Sequence, residues 1–293
     1  MSARHPIITV TGTAGDATEA VRETFAHIFD RERIAGAFID GSGFHRYDRA
    51  GMEKARREAQ AAGDRYFSQF GPDANLLSDL EQALADYGER GHCRSRSYAD
   101  TPQAASRMGL AEGTFSTWKE IGEGSELLVY QGVHGALKTN DFDIAKHADL
   151  KIGIVPVVNL EWIEKIHRDN AQRGTSAGDV TETILRRMSD YVSTIVPQFS
   201  RTDINFQRVP VVDTSNPFIA RWVPSADETK VVIRFRNPRG IDFAYLVSMI
   251  HDSYMSRANS IVIPGGKLDV AMQLILTPMI SKLLERKRRA HLL

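Results

Sequence analysis

Thr11-Gly12-Thr13-Ala14-Gly15-Asp16-Ala17-Thr18-Glu19-Ala20-Val21 follows a β-like run, Pro6-Ile7-Ile8-Thr9-Val10, and leads into a helix whose apolar stripe is Val21, Phe25, Ile28 and Phe29. A strand, a glycine-bearing turn and a helix frame a phosphate-binding P-loop, in which backbone N–H groups at a helix start cradle an anion. The side chains in the turn depart from that chemistry. A working loop has glycine at its sixth position, then Lys or Thr, then a hydroxyl for Mg²⁺. Here those positions hold Ala17, Thr18 and Glu19. Asp16 and Glu19 also read as a D-x-x-E capping box that satisfies the helix donors without any phosphate.

Working outward, the chain has 293 residues, with 37 Lys+Arg against 37 Asp+Glu. Zero formal charge argues against broad nucleic-acid or membrane-surface affinity. The single Cys93 excludes an internal disulfide and fits a reducing cytosol, and no apolar run is long enough for a signal peptide or span. These features lead us to expect a cytoplasmic protein with no nucleic-acid or membrane partner.

A second β-like run covers 34–40 and ends in Gly41-Ser42-Gly43-Phe44-His45-Arg46. Residues 51–70 carry an unsettled helical pattern, and Leu76, Leu77, Leu80, Leu84 and Tyr87 a clean one. Residues 88–125 read as a long excursion with little regular structure. Apolar runs return at Leu127–Tyr130 and Ile152–Val157, the latter followed by a helix from about 160 to 172. This alternation predicts a parallel sheet covered on both faces, with ligands at the carboxyl ends of its strands. Gly174-Thr175-Ser176-Ala177-Gly178 is a break before a helix over 179–195, and residues 170–195 read as a lid and its following helix. The last third, with runs at 209–212 and 231–235, reads as mixed or antiparallel strands, closed by helices near 242–251 and 267–289. One domain over 1–293 accommodates all of this.

Val158-Asn159-Leu160-Glu161-Trp162-Ile163-Glu164-Lys165-Ile166-His167-Arg168-Asp169 and the stretch from Thr202-Asp203-Ile204-Asn205-Phe206-Gln207-Arg208 to Ser260 carry a family resemblance that extends over essentially the whole chain. The sequence resembles the proteobacterial class of phosphoribulokinases, Calvin-cycle enzymes that phosphorylate ribulose 5-phosphate with ATP. The resemblance implies an α/β fold of P-loop NTPase type, adenylate-kinase-like, with a mixed sheet, helices on both faces and a lid. It also implies ATP and Mg²⁺ as requirements, a large homo-oligomer, and NADH and AMP as effectors.

The departures from the family pattern concentrate at catalytic positions. Besides Ala17 and Glu19 in the loop, Ser42 stands where the family has the aspartate thought to take the sugar hydroxyl proton. Gln131 replaces a glutamate that resembles a Walker B acid, Glu53 a lysine, and Asp100 a histidine. A positioned base supplies roughly 10²–10⁴-fold in rate, so these absences predict a pseudoenzyme with a degenerate loop (Gly12, Gly15, Ala17, Thr18, Glu19). On that reading ATP and Mg²⁺ bind weakly or not at all, no cofactor is required, and no metal ligand set is assigned. The chain would bind a phosphorylated small molecule and regulate Calvin-cycle metabolism as a homo-oligomer, or as a hetero-oligomer with an active phosphoribulokinase. The rival reading is an active ATP-dependent phosphoribulokinase with Asp169 or Asp48 as base. Asp40 is a further rescuing carboxylate, on the same face as position 42 by strand alternation. A third reading is a structural partner that binds no small molecule.

Other family positions are retained. The resemblance assigns catalytic-site roles to Lys165, Arg168 and Asp169, and substrate binding to His45, Arg49, Tyr98, Arg173, Arg186 and Arg187. It assigns effector binding to Arg31, Arg234 and Arg257. Arginine clusters of this kind grip phosphate through paired N–H donors. His134 and His167, taken alone, read as structural.

Overall fold

The computed structural model describes residues 5–12 and 16–290, and the side chains of 16–19, 172 and 173 are outside that description. Strand β1 (Ile7–Thr11) leads to helix α1 (Asp16–Glu32), then β2 (Gly36–Asp40) and α2 (Arg49–Ala61). Helix α3 (Leu77–Arg90) is followed by β3 (Cys93–Ser95), α4 (Pro102–Met108) and β4 (Lys119–Ile121). Next come β5 (Leu127–Gly132), β6 (Leu150–Val155), α5 (Val158–Arg173) and α6 (Ala177–Asp190). The chain closes with β7 (Ile204–Pro210), β8 (Thr229–Phe235), α7 (Phe243–Met249), β9 (Tyr254–Arg257), β10 (Ser260–Pro264) and α8 (Leu268–Ala290).

The strands form one eight-stranded sheet in the order β2-β5-β1-β6-β7-β8-β10-β9, with β3 and β4 paired separately. From β2 to β7 every neighbour is parallel, and from β7 to β9 every neighbour is antiparallel. The parallel part therefore presents all its carboxyl ends along one edge, where Thr11, Asp40 and Gln131-Gly132 stand side by side.

The two-residue period of a strand sends alternate side chains of β1 to opposite layers. Ile8 and Val10 pack with Val21, Phe25 and Ile28 of α1 and with Met272, Ile275 and Leu276 of α8. Ile7 packs on the other face with Leu80, Leu84 and Tyr87 of α3. Each fully buried Leu, Ile or Phe contributes roughly 1.5–3 kcal/mol, so the apolar stripe read from the sequence is what holds α1 down. A Cβ on Gly12 would stand 2.9 Å from Ile154 Cβ and 3.0 Å from the Ile154 carbonyl oxygen. That approach to β6 is why the strand exit carries glycine.

Three readings of the sequence need correction. Residues 88–125 are largely irregular but carry more regular structure than expected: α4 lies between the two strands of the β3–β4 pair. The helix after the break starts at Ala177 and gives way to a π-turn over Tyr191–Ile195. The last third begins its strand at Ile204, five residues before the Val209 run, and adds β9 and β10. Gly174 ends α5 with φ 63°, a left-handed cap that suits glycine. No helix among the described residues is long and apolar enough to cross a membrane.

Candidate active site

At the carboxyl end of β2 the chain turns sharply into a short 3₁₀ segment, Gly41–Phe44. Asp40 caps that turn: one of its oxygens, Oδ1, accepts from the Ser42 backbone N–H at 2.9 Å and from the Ser42 hydroxyl at 2.7 Å. Ser42 is thus brought to Asp40 by the turn, not by alternation along the strand. Gln131 lies beside Asp40 in register on β5. Both line a cavity of about 410 Å³, together with Arg22, Arg96, Arg107 and Lys119. Its cationic wall suits an anionic ligand.

Arg96 is the tie that shapes this corner. It donates to the Gly43 carbonyl at 2.8 Å and to the His45 carbonyl at 2.7 Å, while its guanidinium lies 3.7 Å from the centre of the Phe115 ring. Sequence reading passed over it. The signal was the Arg94-Ser95-Arg96-Ser97-Tyr98 run, in which alternate residues share a face, but the partners are backbone carbonyls no motif reveals.

His45 lies beyond the turn, edge-on to Tyr98 with ring centres 5.8 Å apart. Burial pushes its pKa down to about 4, against a raising influence from Asp40 and with further lowering by Arg187 and Arg96. It is therefore a neutral imidazole near neutrality, and its Nδ1 is buried without a hydrogen-bond partner. Arg187 donates to Gln69 Oε1 at 2.9 Å and lies over the Phe70 ring. It also lowers the pKa of Lys165, second only to burial. Asp40, His45, Arg187 and Lys165 consequently form one electrostatic neighbourhood.

On α5, Lys165 and Asp169 are a helical turn apart and form an ion pair with both side chains largely buried. Arg168 Nε stands 3.8 Å from the same carboxylate. Arg49 is committed elsewhere: it donates to Glu112 Oε1 at 2.7 Å and to the Asp100 carbonyl at 2.8 Å. Arg186 faces α2, where Arg56 and Glu53 act on it electrostatically and Glu182 lies at 3.9 Å. Glu53 itself pairs with Arg56. His134 donates from Nε2 to the Phe70 carbonyl at 3.0 Å, and His167 from Nε2 to the Ala220 carbonyl at 3.0 Å, both structural ties.

Of the nucleotide-loop residues, Gly12 is described at the exit of β1. Gly15 and the side chains of Ala17, Thr18 and Glu19 lie outside the described residues, as does the side chain of Arg173. The arginines assigned to an effector lie on three different elements, α1, β8 and β9. Arg234 and Arg257 flank Ser260 on neighbouring strands. Arg31, on α1, is bonded instead to Gln273 and Thr277 of α8, at 3.3 and 2.8 Å.

No group of three or more His, Cys, Asp or Glu side chains among the described residues could hold a metal ion unaided. A Mg²⁺ carried on nucleotide phosphates needs only one or two protein oxygens. The Asp169 carboxylate and the Gln131 amide oxygen are each oxygen donors of the type such a cation takes.

Residues 7–215 match the Phosphoribulokinase / Uridine kinase family. The chain is 58% identical over 290 residues to Phosphoribulokinase 1 of Cereibacter sphaeroides, covering 99% of this chain and 100% of that protein. It is 55% identical over 290 residues to the phosphoribulokinase of Nitrobacter vulgaris, with the same coverage. A solved phosphoribulokinase structure from Rhodobacter spheroides superposes with a TM-score of 0.91 at 57% identity, over 98% of this chain and 100% of that one.

These full-length matches overturn the pseudoenzyme reading, with its degenerate Walker A loop and its lack of any cofactor requirement. Kinases are what the chain resembles from end to end, and the family normally needs ATP and Mg²⁺. The inactive reading argued from residue types that are absent at several converging positions. In the fold, the Ser42 hydroxyl rests on a carboxylate, and the Lys165–Asp169 pair is retained.

Proposed function

The chain belongs to the Phosphoribulokinase / Uridine kinase family, and from that premise we propose that it is an active ATP-dependent phosphoribulokinase converting ribulose 5-phosphate to ribulose 1,5-bisphosphate. The observation that carries this reading is the identity of 58% with a phosphoribulokinase over 99% of the chain. The site is consistent with it. Phosphoryl transfer is mostly positioning and electrostatic stabilisation, and the cationic cavity beside Asp40, with Lys165, Arg168 and Arg187 nearby, suits two phosphorylated substrates.

In this reading Arg168, Arg173 and Arg187 hold phosphate oxygens, and Lys165 balances charge on the group in transfer. His45 and Tyr98 border the sugar. Asp169 and Gln131 would hold the Mg²⁺ that travels with ATP, whose charge neutralises the phosphates. Residues 170–195 act as the lid. Arg234 and Arg257 take an anionic effector such as NADH or AMP, with Arg31 serving a neighbouring subunit of a homo-oligomer.

The test is turnover of Mg-ATP with ribulose 5-phosphate by the purified, folded chain, with and without NADH. Ribulose 1,5-bisphosphate and ADP in equal amounts are expected. Product no faster than in the protein-free control, in either condition, would refute the reading.

A further inference from the structure

A hydroxyl that attacks a phosphoryl group must lose its proton, and a positioned carboxylate is the usual acceptor when no histidine is free. The described carboxylates around the site are not equally available. Asp169 is 8% exposed and paired with Lys165 and Arg168. Asp48 caps α2, accepting from the Gly51 N–H at 2.7 Å. His45 is buried, and its pKa of about 4 leaves a weak base.

Asp40 differs from these. It is exposed, it lines the cavity, and both of its hydrogen bonds from Ser42 fall on Oδ1. Those two donors fix the plane of the carboxylate and leave Oδ2 for a ligand. Ser42 thereby orients the carboxylate that its own hydroxyl could not replace.

We propose that Asp40 is the catalytic base of this chain and that Ser42 is its positioning residue. The inference rests on the kinase reading above. In the step, the C1 hydroxyl oxygen of the sugar forms a bond to the γ-phosphorus of ATP. The bond from that phosphorus to the β,γ-bridging oxygen breaks, and ADP leaves with the electron pair. The hydroxyl proton passes to Asp40 Oδ2. The charged and titratable groups facing Asp40 are His45 beyond the turn, Tyr130 on β5, and Arg22, Arg96, Arg107 and Lys119 around the cavity.

The experiment compares the full chain with Asp40→Asn, Asp40→Glu and Ser42→Ala, measuring kcat, both KM values and the pH profile of kcat/KM. Asp40→Asn should lower kcat roughly 10²–10⁴-fold and abolish the acid limb of the profile, with KM values changed less than about threefold. Asp40→Glu, which keeps a carboxylate, should recover part of the rate. Ser42→Ala should lower kcat severalfold with KM values little changed, because the carboxylate loses the hydroxyl that orients it, and Ser42→Thr, which keeps a hydroxyl, should recover the rate. A merely structural role for Ser42 would leave kcat unchanged in both variants. Wild-type rate with an intact acid limb in Asp40→Asn would overturn the base assignment while leaving the kinase reading standing. Should Asp40→Asn not fold, wild-type kcat in both Asp40→Glu and Ser42→Ala would overturn it. No turnover by the unmodified chain would overturn both.

Discussion

Lys165 and Asp169 are the same ion pair seen from two sides: a cation whose charge burial disfavours, and a carboxylate that restores it. Removing either partner leaves the other charged and enclosed, which typically costs about 3–5 kcal/mol for a buried pair. Lys165→Met should therefore lower the urea midpoint and, in the proposed kinase, reduce kcat by about 100-fold or more. Equal midpoints for variant and parent would show that the pair contributes little to stability.

Burial holds His134 down to about 4, assisted by His45 and opposed by its bond to Phe70. A histidine depressed when folded and ordinary when unfolded contributes stability present above its unfolded pKa of about 6.5. That contribution is lost as pH falls from there towards 4. The expected loss is at most about 3 kcal/mol for this residue, and His45 titrates over the same window. Unfolding free energies of the parent and His134→Gln from pH 7 to pH 4 check it: the variant should show the shallower slope.

Gly12→Ala places a methyl against the Ile154 side chain and carbonyl, a contact tighter than neighbours normally allow. Overpacking of this kind costs about 1–3 kcal/mol. Because Gly12 N–H also donates to the Gly132 carbonyl at 3.3 Å, the shift should reach the loop between β1 and α1. A lower melting temperature and a raised KM for ATP are expected, measured by calorimetry and steady-state kinetics.

Arg96→Lys keeps the charge but loses the planar fork that serves two carbonyls and the stacking on Phe115. The turn carrying Asp40 and Ser42 should loosen. We expect a stability loss of about 1–3 kcal/mol and a kcat reduced more than KM is raised. An unchanged kcat would show that Arg96 does not hold the turn in its working shape.

Local sequence was sufficient for the frame. The Val21, Phe25, Ile28 and Phe29 stripe, the leucines of α3 and the apolar runs of β5 and β6 announce helix and strand, because periodicity depends only on near neighbours. The hairpin of β3 and β4 escaped notice because three-residue strands carry too few alternations to be read. β9 escaped for a related reason: as an edge strand with all four residues exposed it shows no buried face.

The candidate site divides in the same way. Lys165, Arg168 and Asp169 sit within one helical turn, so their grouping follows from the sequence. Judging activity by residue type at Ser42 and Gln131 failed, since a type says nothing about what stands opposite. The Asp40–Ser42 contact is local, two residues apart, but only the tertiary structure tied their turn to Arg96 more than fifty residues later and set Arg31 against α8. The physical reason is one of range. Helix, strand and turn patterns are decided by neighbours along the chain, whereas the cavity that a carboxylate faces and the distant side chain that ties its turn are decided by which strand ends the sheet order brings together.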